Sequence, residues 1–277
     1  MSWRVPLGTG IEALLDWFST HFAFATKAFS VVAGQGLSLL EGGLLWLPPW
    51  AFLTLAAAGI WRLTRRPRLA LAAAAGLGLI WNLGLWTAMV STLALVSVAT
   101  CLAIGLGIPL GIAAAMSRAA NKTIMPVLDM MQTMPAFVYL IPAIPFFGLG
   151  KVAAIFSTVI FSMPPAIRLT CLGITQTPRE LVECAEAFGS SRWQKLIKLQ
   201  LPLAAPTIMA GVNQTVMLAL SMVVIAAMIG AKGLGGEVWK AIQRLEMGNG
   251  FEAGICIVVV AVILDRILQH VGRRTQA

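Results

Sequence analysis

Apolar residues run along this chain in long blocks, and charged residues gather between the blocks. Residues 69–117 carry no charge over 49 positions, enough for two membrane-crossing helices of about 20 residues and a short turn. The turn fits best at 81–86, where Asn82, Gly84, Trp81 and Trp86 suit a membrane interface. Other blocks predict spans at 45–61, 124–147, 151–170, 204–229 and 253–268, about seven in all. Ahead of them Ile11, Leu14, Leu15, Phe18, Phe22, Ala25, Phe29 and Val32 recur at helical spacing, with Glu12, Asp16 and Lys27 mostly off the stripe. That pattern predicts an amphipathic helix, lying on the outer membrane face or packed on the protein's own periphery.

Composition agrees with this reading. Of 277 residues 58% are hydrophobic and 11% charged, and mean hydropathy is +0.86. Soluble domains carry about 25% charged residues. A water-facing surface is therefore too poorly supplied here, which excludes an ordinary soluble enzyme, a disordered chain and a small disulfide-stapled domain. The formal charge of +9 would suit nucleic-acid binding in a soluble protein. Sorted by loop it says something else. Segments 62–68, 118–122 and 168–198 and the tail from Arg266 hold fourteen of the 20 Lys and Arg residues. The intervening segments hold Arg4, Lys27, Lys151, Lys232, Lys240 and Arg244. This bias predicts an N-terminus outside, a C-terminus in the cytoplasm and no nucleic-acid partner.

Little else in the composition points to chemistry. Cys101, Cys171, Cys184 and Cys256 are scattered, and His21 and His270 lie near opposite ends, so neither a disulfide framework nor a metal site is expected. The first long apolar run, placed near Leu44, starts late and lacks a basic leader, which argues against a secretory signal. Gly230 to Glu237 is glycine-rich without being a phosphate-binding loop, so any ATP chemistry must come from a partner.

The segment between Cys171 and Pro202 is more informative. Thr177-Pro178-Arg179-Glu180 reads as a capping box with proline at the first helical position. Leu181, Cys184, Ala185 and Phe188 then form an apolar stripe, and Gly189 suits a left-handed helix end. Ser191 with Gln194 caps a second helix from Arg192 to about Gln200, with Pro202 expected to break it. Two short helices joined at a glycine should project into the cytosol with one apolar face free.

Glu183-Cys184-Ala185, Gly189 and Leu199-Gln200-Leu201-Pro202 resemble the loop signature of ABC importer permeases, E-A-A, three residues, G, nine residues, I, one residue, L-P. Cys184 replaces the first alanine and Leu199 the isoleucine; every spacing matches. The stretches LDMMQTMPAFVYLIPAIPFFGLG (128–150), SMPPAIRLT (162–170), GVNQTVMLALSMVVIAAMI (211–229), AIQRLEMG (241–248) and ILDRI (263–267) are similar to one group of these, the permease subunits of glycine betaine/proline betaine importers with their choline-type relatives. The likeness is dense over 85–272. It implies an all-α, type I ABC importer transmembrane fold: an N-terminal segment (1–44), extra helices (45–86) and a permease core (87–270) containing the coupling loop (171–202). It also implies a bacterial inner-membrane location, a permease homodimer, two ATPase subunits that bind ATP and magnesium, and an extracytoplasmic substrate-binding protein. This chain itself would bind no cofactor. Glu183, Ala185, Gly189, Leu199 and Pro202 would form the loop that couples to the ATPase.

Prolines mark the expected gate. Pro126, Pro135, Pro142 and Pro145 should interrupt the fourth span, and Pro164 and Pro165 the fifth, since each removes a backbone donor. Gln132, Thr133, Tyr139, Asn213, Gln214, Thr215 and Ser221 are the polar residues available to line a path or to tie helices together. Gly107 and Gly111 should serve close helix packing. Quaternary amines are held by aromatic faces, yet Tyr139 is the one tyrosine and most tryptophans fall at span ends. Substrate choice is therefore expected in the binding protein. Two other readings stay open at this point: a permease for an amino acid or sulfonate, and an ion-coupled secondary transporter using Asp129 or Asp265. A membrane enzyme is disfavoured by the lack of any nucleophile–base or metal constellation.

Overall fold

The computed structural model describes residues 23–274 together with Thr9, Gly10, Ala13, Trp17, Phe18, Thr20 and His21, and every regular element among them is helical. Half of the predicted N-terminal stripe (Ile11, Leu14, Leu15 and Phe22), with Glu12 and Asp16 beside it, lies outside the described residues. Three long helices form the centre: α4 (Trp86–Met116), α7 (Lys151–Thr175) and α10 (Leu201–Ala226). They meet through small residues. A Cβ on Gly107 would stand 2.9 Å from the Ala166 Cβ, one on Gly111 2.6 Å from the Ile167 carbonyl oxygen, and one on Gly211 3.1 Å from the Pro165 oxygen. Lipid tails are as apolar as leucine, so helices in a bilayer are held by such close backbone approach rather than by apolar burial.

Around this centre lie α1 (Ala23–Trp46), the hairpin α2 (Pro49–Thr64) and α3 (Pro67–Asn82), α5 (Arg118–Thr133), α6 (Leu140–Phe147), α11 (Leu234–Arg244) and α12 (Met247–Arg274). Pro49 and Pro67 sit in the first turns of the hairpin helices, where a missing N–H costs nothing. Arg65 ends α2 at φ 52, a left-handed conformation usual for glycine, and its N–H caps the Trp61 carbonyl at 2.7 Å.

Among the described residues, fewer helices than the expected seven are by themselves long and apolar enough to span. Thr26–Trp46, Trp86–Met116, Lys151–Thr175 and Arg192–Ile229 are long and apolar enough to cross a membrane, and a fifth span results if α5 and α6 count together across their 114° bend. The hairpin helices have 16 residues each, about 24 Å of rise against roughly 30 Å of hydrocarbon. The apolar run expected near Leu44 begins earlier, within α1. Yet Gly36 lies nearest Val98, Gly34 nearest Val152, Phe29 stacks near Phe156, and Glu41 bonds Ser91 and Lys151. The α4 contacts run from Ser91 opposite Glu41 to Val98 opposite Gly36, so α1 lies antiparallel along the first half of α4 and touches α7 near its start, at Lys151, Val152 and Phe156.

Two proline expectations also change. Pro164 and Pro165 do not interrupt α7, which runs unbroken with both prolines buried. Its neighbours hold it straight at that depth: α4 through Ala166 and α10 through the Pro165 carbonyl. Pro202 does not end a helix either. A π turn over Leu196–Gln200 joins the Arg192–Lys195 helix to α10, and the Leu201 N–H reaches back to the Leu196 carbonyl. The wider turn makes room for the proline ring that an ordinary i to i−4 ladder would exclude.

Candidate functional site: the two-helix loop and the broken span

The loop after α7 folds into α8 (Arg179–Ala187) and α9 (Arg192–Lys195), joined at Gly189 with φ +75. The expected box at Thr177 is absent. The Thr177 hydroxyl donates backwards to the Ile174 carbonyl at 2.9 Å, and Pro178 takes the cap position without a side-chain bond. The second box forms as expected, with the Gln194 N–H donating to Ser191 Oγ at 3.3 Å and the Ser191 N–H to Gln194 Oε1 at 2.8 Å. An ion pair between Lys195 and Glu186 ties the two helices into one unit. The apolar stripe stays uncovered: Leu181 and Cys184 are exposed, Phe188 is 86% exposed and Trp193 63%. Ala185, the remaining stripe residue, is half-buried, and Glu183 beside the stripe is exposed. A rigid two-helix knob with an uncovered aromatic face has the form of a docking lever. Leu199 lies in the π turn and Pro202 in the first turn of α10, so the two-helix unit is continuous with a core helix.

The broken span begins with α5, bends at Pro135, passes through a single 3₁₀ turn (Ala136–Tyr139) and continues as α6. Pro126 and Pro145 lie inside helices, and Pro142 near the start of α6. The break therefore belongs to Met134 and Pro135. Tyr139 holds the bend closed. Its ring is 5% exposed, lies edge-on to Phe161 at 5.6 Å, and its hydroxyl donates to the Met131 carbonyl.

The other candidate path residues do not converge on one face. Gln132, Thr133 and Gln214 are exposed, and the Thr133 hydroxyl donates to the Met130 carbonyl at 2.9 Å. Asn213 Nδ2 donates to Asp265 Oδ1 at 2.9 Å, which ties α10 to α12. Thr215 is fully buried, and its hydroxyl lacks a partner, as does Asn213 Oδ1. Ser221 bonds the Met217 carbonyl.

Three contacts were not anticipated. Lys151 Nζ meets Glu41 Oε2 at 2.5 Å while Ser91 Oγ donates to Glu41 Oε1 at 2.6 Å, pinning α1 to α4 and α7. Glu41 is the one charged residue between Lys27 and Arg62, a signal that was legible. Arg168 pairs with Asp129 at 2.6 Å, linking α7 to the broken span. The buried Thr92 hydroxyl accepts the Leu234 N–H at 2.8 Å and caps α11, and nothing local to Thr92 announces this. Both carboxylates considered for ion coupling are engaged, Asp129 with Arg168 and Asp265 with Asn213 and Gln269.

A helical core with a broken span and an exposed two-helix loop between two core helices has the layout of a membrane permease subunit. The backbone is similar to one in inward-facing structures of the MetNI methionine ABC transporter, with a TM-score of 0.59 at 24% identity over 69% of this chain and 93% of that one. A second crystal form gives 0.57 at 22% over 66% and 90%.

Residues 107–277 match the binding-protein-dependent transport system inner membrane component, and the chain belongs to that family. It is 46% identical to the glycine betaine/carnitine transport permease protein GbuB of Listeria monocytogenes, over 99% of this chain and 98% of that protein. It is 47% identical to the glycine betaine transport system permease protein OpuAB of Bacillus subtilis, over 97% and 95%. For the glycine betaine/proline betaine transport system permease protein ProW of Escherichia coli the identity is 45%, over 99% and 77%. The chain is a transport subunit, not a catalytic one.

Proposed function

We propose that this chain forms the translocation path of an ATP-driven importer for quaternary-amine compatible solutes: glycine betaine, proline betaine or choline. It works as a homodimer in the bacterial inner membrane with two ATPase subunits and an extracytoplasmic binding protein. Its N-terminus lies outside and its C-terminus in the cytoplasm. The hairpin α2–α3 and helix α12 complete about seven crossings, and 1–44 is an outer segment leaning on 87–270.

The observation that carries the reading is the uncovered two-helix loop, 171–202, joined without a break to α10. ATP and magnesium belong to the partner, and Glu183, Ala185, Gly189, Leu199 and Pro202 transmit its movement as a two-state lever. The gate is the bend at Pro135 with Pro142 beyond it, and the Pro164–Pro165 segment is the wall it moves against. Gln132, Thr133 and Gln214 line the path from different faces, and the buried Thr215, with its unpartnered hydroxyl, joins them when the gate moves. Tyr139 and Asn213 act as struts, so their substitution lowers flux more than it changes selectivity.

The test is competitive uptake by vesicles containing the whole importer, with betaine, choline, carnitine and proline as competitors. Competition by the methylated amines supports the proposal. Competition by proline alone sinks the substrate class, and uptake that persists with a disabled ATPase sinks the mechanism.

A further inference from the structure

The arginines at the α2–α3 turn form a cavity that transport leaves unused. Arg65, Arg66 and Arg68 from the turn and Arg266, Gln269 and His270 from α12 line a space of about 660 Å³. No carboxylate lines it. Among the described residues none of these four arginines has an ion pair, and Asp265, next to Arg266 in sequence, is taken up by Asn213 and Gln269. The four guanidinium groups are exposed, so water screens part of their mutual repulsion, and an anion held among them would relieve the rest. Positive loops are common at the cytoplasmic face, but such a loop needs no cavity and no second helix to complete it.

A second feature gives the anion its form. The outer side of the hairpin carries a shallow apolar groove of about 310 Å³, floored by Ala57, Ala58, Ala70 and Ala74 and bordered by Trp61 and Leu71. Pro67 lines both this groove and the cationic cavity, and Arg65 lines both the cavity and a neighbouring hollow with Arg62 and Trp61. With the hairpin in the bilayer as proposed above, on which this inference rests, the trough left by these small residues offers a seat for a hydrocarbon chain, and Trp61 suits the headgroup level. A continuous surface therefore runs from an apolar trough to a cluster of guanidinium groups, which match phosphate oxygens in geometry and charge.

We propose that this surface is a binding site for an anionic phospholipid of the inner leaflet, with its phosphate among Arg65, Arg66, Arg68 and Arg266 and an acyl chain in the alanine trough. The lipid would join the hairpin to α12 and screen the arginine cluster. The proposal does not depend on which solute is carried.

The test is native mass spectrometry of the purified permease with phosphatidylglycerol or phosphatidylcholine added. The wild-type chain should retain phosphatidylglycerol preferentially. Neutralising three arginines (R66Q, R68Q and R266Q together) should weaken that retention about five-fold per arginine, roughly a hundred-fold in all. The charge-keeping set R66K, R68K and R266K should retain most of the preference, which separates lost charge from lost folding. Ala58→Trp fills the trough without touching the charges and should also reduce retention. Competing inorganic phosphate or deacylated glycerophosphoglycerol should displace the lipid only weakly. Equal retention of the two lipids by the wild-type chain overturns the site, as does undiminished preference in the glutamine set. Full displacement by either soluble anion, or no effect of Ala58→Trp, overturns the lipid in favour of a free phosphate.

Discussion

The contact between α4 and α7 at Gly111 can be tested by adding a single methyl group. A Cβ there would stand 2.6 Å from the Ile167 carbonyl oxygen and 2.6 Å from the Thr170 Cβ, whereas ordinary contact begins near 3.4 Å, so the helices must part by about 0.8 Å. Neither obstacle can turn away, since one is backbone and the other the root of a side chain. A radial gap of about 0.5–1 Å forfeits a quarter to a half of the dispersion well for each facing pair of atoms. Overpacking of this kind costs about 1–3 kcal/mol. At roughly 2–4 °C for each kcal/mol in a chain of this size, Gly111→Ala should lower the melting temperature by several degrees.

Two controls on the same helix grade the effect. At Gly107 the nearest atom would be the Ala166 Cβ at 2.9 Å, so Gly107→Ala should cost less. At Gly105 nothing lies within 4 Å, so Gly105→Ala should be neutral or slightly stabilising. Thermal denaturation in detergent, followed by fluorescence of the nine tryptophans, gives the order. If Gly111→Ala melts with Gly105→Ala, the helices are not held by backbone approach at this point and the packing argument is wrong.

Other expected outcomes concern the struts and the lever. Glu183→Lys or Gly189→Leu should abolish ATP-dependent uptake while the bundle still inserts and melts normally, because Gly189 at φ +75 strains any side chain and Glu183 lies beside the docking face; normal uptake with both changes would remove the lever. Tyr139→Phe loses the bond to the Met131 carbonyl, about 1 kcal/mol, and should lower transport rate without changing the order of competing solutes. A double-mutant cycle on Glu41→Gln and Lys151→Met should give a coupling of about 0.5–1 kcal/mol in melting experiments, given the partial exposure of both groups. That coupling should shrink in high salt.

The helical membrane class, the basic segments and most of the two-helix loop were legible in the sequence because the forces behind them act within a few residues. An apolar block needs no partner to be apolar, and the Ser191–Gln194 box closes over three positions. Where a local signal failed, a distant contact or a neighbouring distortion had overruled it. Pro164 and Pro165 read as a break, but α4 and α10 press on that segment from both sides. Pro202 read as a stop, but the π turn before it gives the ring its room.

The sequence by itself determined that this chain lives in a bilayer, that it carries a two-helix loop between two apolar blocks, and to which importer permeases it is akin. Tertiary structure alone decided what holds the machine together. Lys151 and Glu41 are 110 positions apart, Thr92 and Leu234 142, and Asn213 and Asp265 52. Each of these polar groups depends on a partner supplied by another helix, at a separation that no periodicity records. In a bilayer, where water cannot satisfy polar groups, helix pairing chooses those partners. The same pairing brought the arginines of the α2–α3 turn beside Arg266 of α12 around one space.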